Sequence, residues 1–139
     1  MALNNSYSKG YNQYRENTVF TSTPEELTLM LYNGIVKFIM QAQAAIDENH
    51  IEKANSSIIK AQEIICELQL TLDMKYEISK RFMLLYDYIY RQLMEANIKK
   101  DKNILEEVLG FAKELRDTWM QAMKAAKQQN NIREAETGV

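Results

Sequence analysis

The chain has 139 residues and a formal net charge of −2, with acidic and basic residues mixed along its length. This length suits one domain with a real hydrophobic core, and the absence of a basic stripe argues against nucleic acid as a partner. One proline, four glycines and one cysteine predict long helices with few turns in the reducing cytoplasm; we expect neither a signal peptide nor a membrane span.

The first segment, residues 1–22, is polar and carries three tyrosines at helical spacing: Tyr7, Tyr11 and Tyr14. A frayed terminus is one interpretation, and an arm that docks its rings on the rest of the chain is the other. If it docks, we expect the arm to cover an apolar groove until a partner displaces it.

The first helix is predicted from its start signals. Thr23 can cap the helix, Pro24 suits its first position and Glu26 completes a capping box, with the helix ending near Asn49. Residues 49–52 predict a turn and a second capping box. The next helix has an unbroken heptad seam, made of Ile51, Ala54, Ile58, Ala61, Ile65, Leu68 and Leu72.

After a break at residues 73–76, the third helix shows two apolar stripes side by side. The core stripe is Ile78, Phe82, Leu85, Ile89, Leu93 and Ala96, and the second is Met83, Tyr86, Tyr90 and Met94. A second stripe needs a second contact, and methionine and tyrosine suit adaptable binding surfaces. Simple burial of the whole helix is the alternative.

The fourth helix is predicted to start at Asp101 or Asn103, with Ile104, Val108, Phe111, Leu115, Thr118 and Ala122 in its seam. Four helices of 20–25 residues with short connections predict an all-α, antiparallel up-down-up-down four-helix bundle. We assign residues 1–22 to an N-terminal arm, 23–126 to the bundle, and 127–139 to a short polar C-terminal tail, either disordered or loosely helical.

Residues for catalysis are scarce. His50 is the one histidine, no Glu-x-x-His pair is present, and zinc-type cysteine and histidine clusters and glycine-rich phosphate loops are missing. We therefore expect no enzyme activity, no metal and no cofactor.

Several segments together resemble one family of bacterial proteins. They are Tyr11, Tyr14, Asn17, Val19, Thr21 and residues 22–27 in the arm and helix start, MLYNG at 30–34, KAQEII at 60–65, LYDYIYR at 85–91, EVLGF at 107–111 and RDTW at 116–119. Their order and spacing resemble FliS, the flagellar export chaperone family. Gln92 departs from the pattern, in which a second arginine often follows the first.

The resemblance implies a cytoplasmic chaperone that binds the C-terminal segment of flagellin, prevents its premature polymerisation and supports its export by the flagellar type III apparatus. A homodimer and a regulatory bundle that binds another flagellar or anti-sigma partner remain alternatives. The candidate partner-binding residues come from the arm, the first helix and the second stripe: Tyr7, Tyr11, Tyr14, Tyr32, Met83, Tyr86, Tyr90, Met94 and Asn97.

Overall fold

A computed structural model describes residues 22–137 of the chain. Four helices follow one another: α1 spans Pro24–Asp47, α2 spans Ile51–Leu70, α3 spans Glu77–Lys99 and α4 spans Lys102–Glu136. Helix α1 packs against α2 and α4, and α3 packs against the same two helices. Because each connection is short, neighbours are antiparallel. The fold is the predicted all-α, up-down-up-down four-helix bundle.

The helix ends follow from local chemistry. The Thr23 hydroxyl accepts a hydrogen bond from the Glu26 amide at 3.2 Å, which confirms the predicted cap of α1. The Asp101 carboxylate caps α4 by accepting from the Asn103 amide at 2.8 Å. The predicted capping box at residues 49–52 is wrong, because His50 occupies the cap position of α2 without a side-chain bond.

Two left-handed residues close the tight turns between helices. Asn49 has φ 60° after α1, and Lys100 has φ 52° after α3. After α1, the His50 amide donates to the Ala45 carbonyl at 2.8 Å and the Asn49 amide to the Ile46 carbonyl at 3.1 Å, a Schellman pattern. These compact ends let the next helix start at once and run antiparallel.

The core runs along the centre of the bundle. Its fully buried large side chains come from all four helices: Ile35, Ile39, Ile58, Ile65, Leu68, Ile89, Leu93, Leu105 and Val108. The predicted seam of α2 is confirmed from Ala54 to Leu68, although Ile51, at the helix start, is exposed.

The predicted register of α4 is wrong. Leu105, Leu109 and Ala112 are buried beside Val108, whereas Thr118 and Ala122 of the predicted seam are exposed. The helix is also longer than expected, with 35 residues and a length of roughly 52 Å. From residue 124 to its end, every residue of α4 is exposed. The segment predicted as a polar tail therefore continues α4 as a solvent-exposed helix as far as Glu136.

Among the described residues, no helix is long and apolar enough to cross a membrane. The same part of the chain holds no group of three or more His, Cys, Asp or Glu side chains placed to bind a metal ion.

Candidate partner-binding surface

Tyr32 and Tyr86 lie inside the bundle. Each is 3% exposed, and their hydroxyl groups form a hydrogen bond of 2.7 Å between α1 and α3. Tyr86, a candidate partner-binding residue from the second stripe of α3, is therefore buried, and its second contact is Tyr32 of the same chain. Burial is the main cause that raises the pKa of both tyrosines. The pair stays neutral and cross-links two helices.

Aromatic side chains extend this contact to α4. The rings of Trp119 and Tyr32 meet edge to face, with centroids 6.3 Å apart, and the Trp119 indole donates to the Glu25 carbonyl at 2.9 Å. Phe82 stacks on Tyr86 at 6.0 Å. Three helices are thereby held together near the end of the bundle where α1 begins.

The other residues of the second stripe lie on one side of α3, toward α2. Two hydrogen bonds fix the alignment: the Gln62 amide donates to the Tyr90 carbonyl at 3.4 Å, and the Asn97 amide donates to Asn55 at 2.8 Å. This antiparallel register places Ile59 level with Met94, and Leu70 level with Met83. We call the surface formed by Ile59, Leu70, Met83, Tyr90 and Met94 the α2–α3 face.

The α2–α3 face is apolar and largely open to solvent. Leu70 is 85% exposed and Met94 is 45% exposed. Met83 and Tyr90 are half-buried, and Tyr90 also packs against the core. Asp87 and Arg91, which border the face, form an ion pair at 3.0 Å. The surface therefore offers apolar area with little net charge.

The end of the bundle next to this face leaves core positions uncovered. Ile78 lies 11 residues before the fully buried Ile89, on the same side of α3, yet it is 56% exposed. The prediction that Ile78 is a core residue is wrong for this reason. Met74 and Tyr76, in the connection before α3, are exposed beside it. We call Met74, Tyr76 and Ile78 the open end.

Asn97 has a clear structural role. Its side-chain amide bonds to Asn55, and its oxygens accept from the Lys100 ammonium group at 2.6 Å. These contacts join α2, α3 and the turn before α4. Tyr7, Tyr11 and Tyr14 lie outside the described residues.

Two exposed residues on the opposite side of α3, Leu84 and Tyr88, were not among the predicted site residues. Both fall outside the two predicted stripes, so the stripe pattern carried no signal for them. Tyr88 donates a hydrogen bond to a Glu107 carboxylate oxygen at 2.5 Å. This bond is the main cause that raises the pKa of Tyr88.

Comparisons with known proteins agree with this architecture. The family model described as "Flagellar protein FliS" matches residues 7–126. The chain is 46% identical over 127 residues to the flagellar secretion chaperone FliS of Bacillus subtilis, covering 91% of this chain and 92% of that protein. It is 31% identical over 111 residues to the FliS protein of Campylobacter jejuni, covering 78% of this chain and 87% of the relative.

A solved structure supports the fold. A crystal structure of a bacterial flagellar chaperone superposes with a TM-score of 0.69 at 18% identity, over 85% of this chain and 98% of that one. Because the family match covers most of the sequence, as do the relatives, the chain belongs to the FliS family of flagellar proteins.

Proposed function

We propose that this protein is a cytoplasmic flagellar secretion chaperone that binds the C-terminal segment of flagellin. It would keep that segment from polymerising early and hold it ready for the flagellar export apparatus. The observation that carries the proposal is the α2–α3 face, whose apolar side chains continue into the open end. An isolated bundle does not need this area for its own core.

The shape of the surface fits an unfolded cargo. From Ile59 to Leu70 the face extends over 12 residues of α2, roughly 16 Å along the helix axis, and the open end continues beyond it. A disordered chain can lay successive apolar residues along such a track and become partly helical as it binds. The apolar groups through which flagellin would meet another flagellin are then covered.

The chemistry of the surface fits a cargo that must be released. Ordering a disordered segment costs free energy, so a large contact gives only moderate affinity. Release would come by competition at the export apparatus.

A binding measurement with matched variants tests the proposal. A peptide from the C-terminal region of flagellin is titrated into the wild-type protein and into the double variant Ile59→Ser/Met94→Ser. We expect the double variant to bind at least about tenfold more weakly, because it removes two apolar contacts from the face. The control is Ile132→Ser, since Ile132 is also exposed but lies far along α4.

A second readout addresses polymerisation. Wild-type protein, added in equal amount, should delay the assembly of purified flagellin, and the double variant should delay it less. If the Ile59→Ser/Met94→Ser variant binds the flagellin peptide as tightly as the Ile132→Ser control, the assignment of the α2–α3 face is wrong. If the wild-type protein does not bind the peptide at all, the cargo is wrong.

A further inference from the structure

We propose that the outer side of α3 and α4 around Gly110 is a second docking surface, which takes a basic amphipathic helix of a protein other than the cargo. The surface, called the Gly110 patch, consists of Leu84, Tyr88, Glu107, Gly110, Phe111 and Glu114. It lies on the side of α3 away from the α2–α3 face, because Tyr88 contacts α4 whereas Asn97 contacts α2.

The ring of Tyr88 is fixed in position at the centre of the patch by two contacts with α4. The Tyr88 hydroxyl bonds to Glu107 at 2.5 Å, and the ring meets Phe111 edge to face with centroids 6.0 Å apart. Tyr88 is still 40% exposed, and Leu84, one turn before it, is 71% exposed. A fixed, exposed tyrosine beside an apolar side chain loses little conformational entropy on binding, as binding hot spots require.

Gly110 leaves a shallow depression in the patch, because it has no side chain. It lies inside α4, where glycine destabilises a helix relative to alanine, and apart from its chain neighbours and the backbone of its own helix, a Cβ built on it meets nothing within 4 Å. Packing in the described part of the chain therefore does not require glycine. An exposed glycine lets another backbone approach closely, which is what a helix laid across α4 would need.

The charges on the patch select the occupant. Glu107 and Glu114 are seven residues apart, so they lie on the same side of α4, with Gly110 between them. Neither carboxylate forms an ion pair with a lysine or arginine among the described residues. Two carboxylates without counter-charges beside Leu84 and Phe111 are complementary to a helix that carries leucine on one face and lysine or arginine at its border.

The test uses a synthetic helical peptide of about 18 residues, long enough for roughly 27 Å of helix, with leucines on one face flanked by lysines. Its twin carries glutamate in place of every lysine. Binding to the full-length protein is followed by calorimetry and by backbone amide chemical shifts. We expect the lysine peptide to bind and to shift amides of residues 84–88 and 107–114, and the glutamate twin not to bind.

Three variants make the test specific. Glu107→Gln keeps an oxygen that can accept the hydrogen bond from Tyr88. Glu107→Gln and Glu114→Gln should each lower the affinity for the lysine peptide about two- to five-fold, as loss of an exposed ion pair does. Gly110→Gln should raise the melting temperature, because it replaces a glycine in the helix interior and its side chain extends into open space. The same variant should abolish the amide shifts that the lysine peptide causes. Glu134→Gln, on the exposed part of α4, is the matched control and should change nothing.

The proposal is overturned by equal binding of the two peptides, by shifts located elsewhere, or by an unchanged affinity in Gly110→Gln. It is also overturned if Gly110→Gln lowers the affinity for the flagellin peptide as much as the affinity for the lysine peptide, because the patch would then belong to the cargo site. The lysine-peptide result does not depend on flagellin binding, so it stands apart from the proposed function.

Discussion

At the scale of single residues, the hydrogen bond between Tyr32 and Tyr86 makes a distinctive prediction. Replacing either tyrosine with phenylalanine leaves the other hydroxyl buried without this partner, which should lower the free energy of unfolding by about 1–3 kcal/mol. The double variant Tyr32→Phe/Tyr86→Phe removes both hydroxyls and should cost less than the sum of the single changes. Chemical denaturation of the four proteins measures the coupling; simple additivity would show that the bond contributes nothing.

The same pair predicts how stability depends on alkaline pH. Burial raises the pKa of both hydroxyls above the ordinary value of 10.0, so the folded protein keeps protons that the unfolded chain releases. Their contribution is complete below about pH 10 and is lost as pH rises further, with a limiting slope of about 1.4 kcal/mol per pH unit for a tyrosine that is ionised in the unfolded chain and still protonated in the folded protein. Urea denaturation between pH 9 and 11 should show this slope, and the double phenylalanine variant should show a clearly shallower one.

At the scale of the element, we expect different residues of α3 to serve folding and the proposed binding of flagellin. Ile89 is fully buried, so Ile89→Ala should lower the free energy of unfolding by about 2–5 kcal/mol. Met94 lies about one turn further along α3, on its exposed side. Met94→Ser should therefore change the free energy of unfolding by less than about 0.5 kcal/mol but lower the affinity for the flagellin peptide. Tyr90 is a poorer probe, because it also packs against the core. Similar losses of stability from Ile89→Ala and Met94→Ser would refute the separation.

Helix α4 makes a different prediction. Its residues from 124 onward are all exposed and carry no apolar stripe that a core would bury. Ending the chain after residue 126 should therefore shift the melting temperature by less than about 2 °C, while the helical signal in circular dichroism falls. A large drop in melting temperature would mean that this part of α4 stabilises the bundle through contacts that the described residues do not show.

The helices also show what sequence patterns can and cannot predict. Start signals with specific hydrogen-bonding chemistry placed the start of α1 at Thr23 and narrowed the start of α4 to two candidates, of which Asp101 is the cap. The heptad seam of α2 gave its buried face. In α4, apolar residues occupy adjacent positions such as Ile104 and Leu105, so spacing alone could not choose the register. The packing of α4 against α1 and α3 decides it, with Leu105 turned inward.

The exposure of the candidate partner-binding residues was predicted in part, for a related reason. Met83 and Met94 lie on an exposed side of α3 as expected, because their spacing fixes their direction relative to Ile89. Tyr86 belongs to the same stripe by spacing, but it lies closer to the core direction and its hydroxyl finds Tyr32. The exposure of Ile78 depends on where the neighbouring helices end, which no single helix pattern encodes.

At the scale of the whole molecule, charge and apolar area decide what the proposed cargo site predicts for binding. Asp87 and Arg91, which border the α2–α3 face, form an ion pair of opposite charges, and the formal net charge of the chain is only −2. Binding through that face should bury apolar area, which gives a negative heat-capacity change, and should respond weakly to salt because few separate charges are neutralised.

The most direct measurement is calorimetric titration of the wild-type protein with the flagellin C-terminal peptide at several temperatures and at two salt concentrations, repeated with Ile59→Ser/Met94→Ser. We predict a clearly negative heat-capacity change, an affinity that changes less than about threefold between 50 and 200 mM salt, and a smaller heat-capacity change in the variant. A steep loss of affinity with salt, or a heat-capacity change that is the same in the variant, would contradict an apolar cargo site on the α2–α3 face.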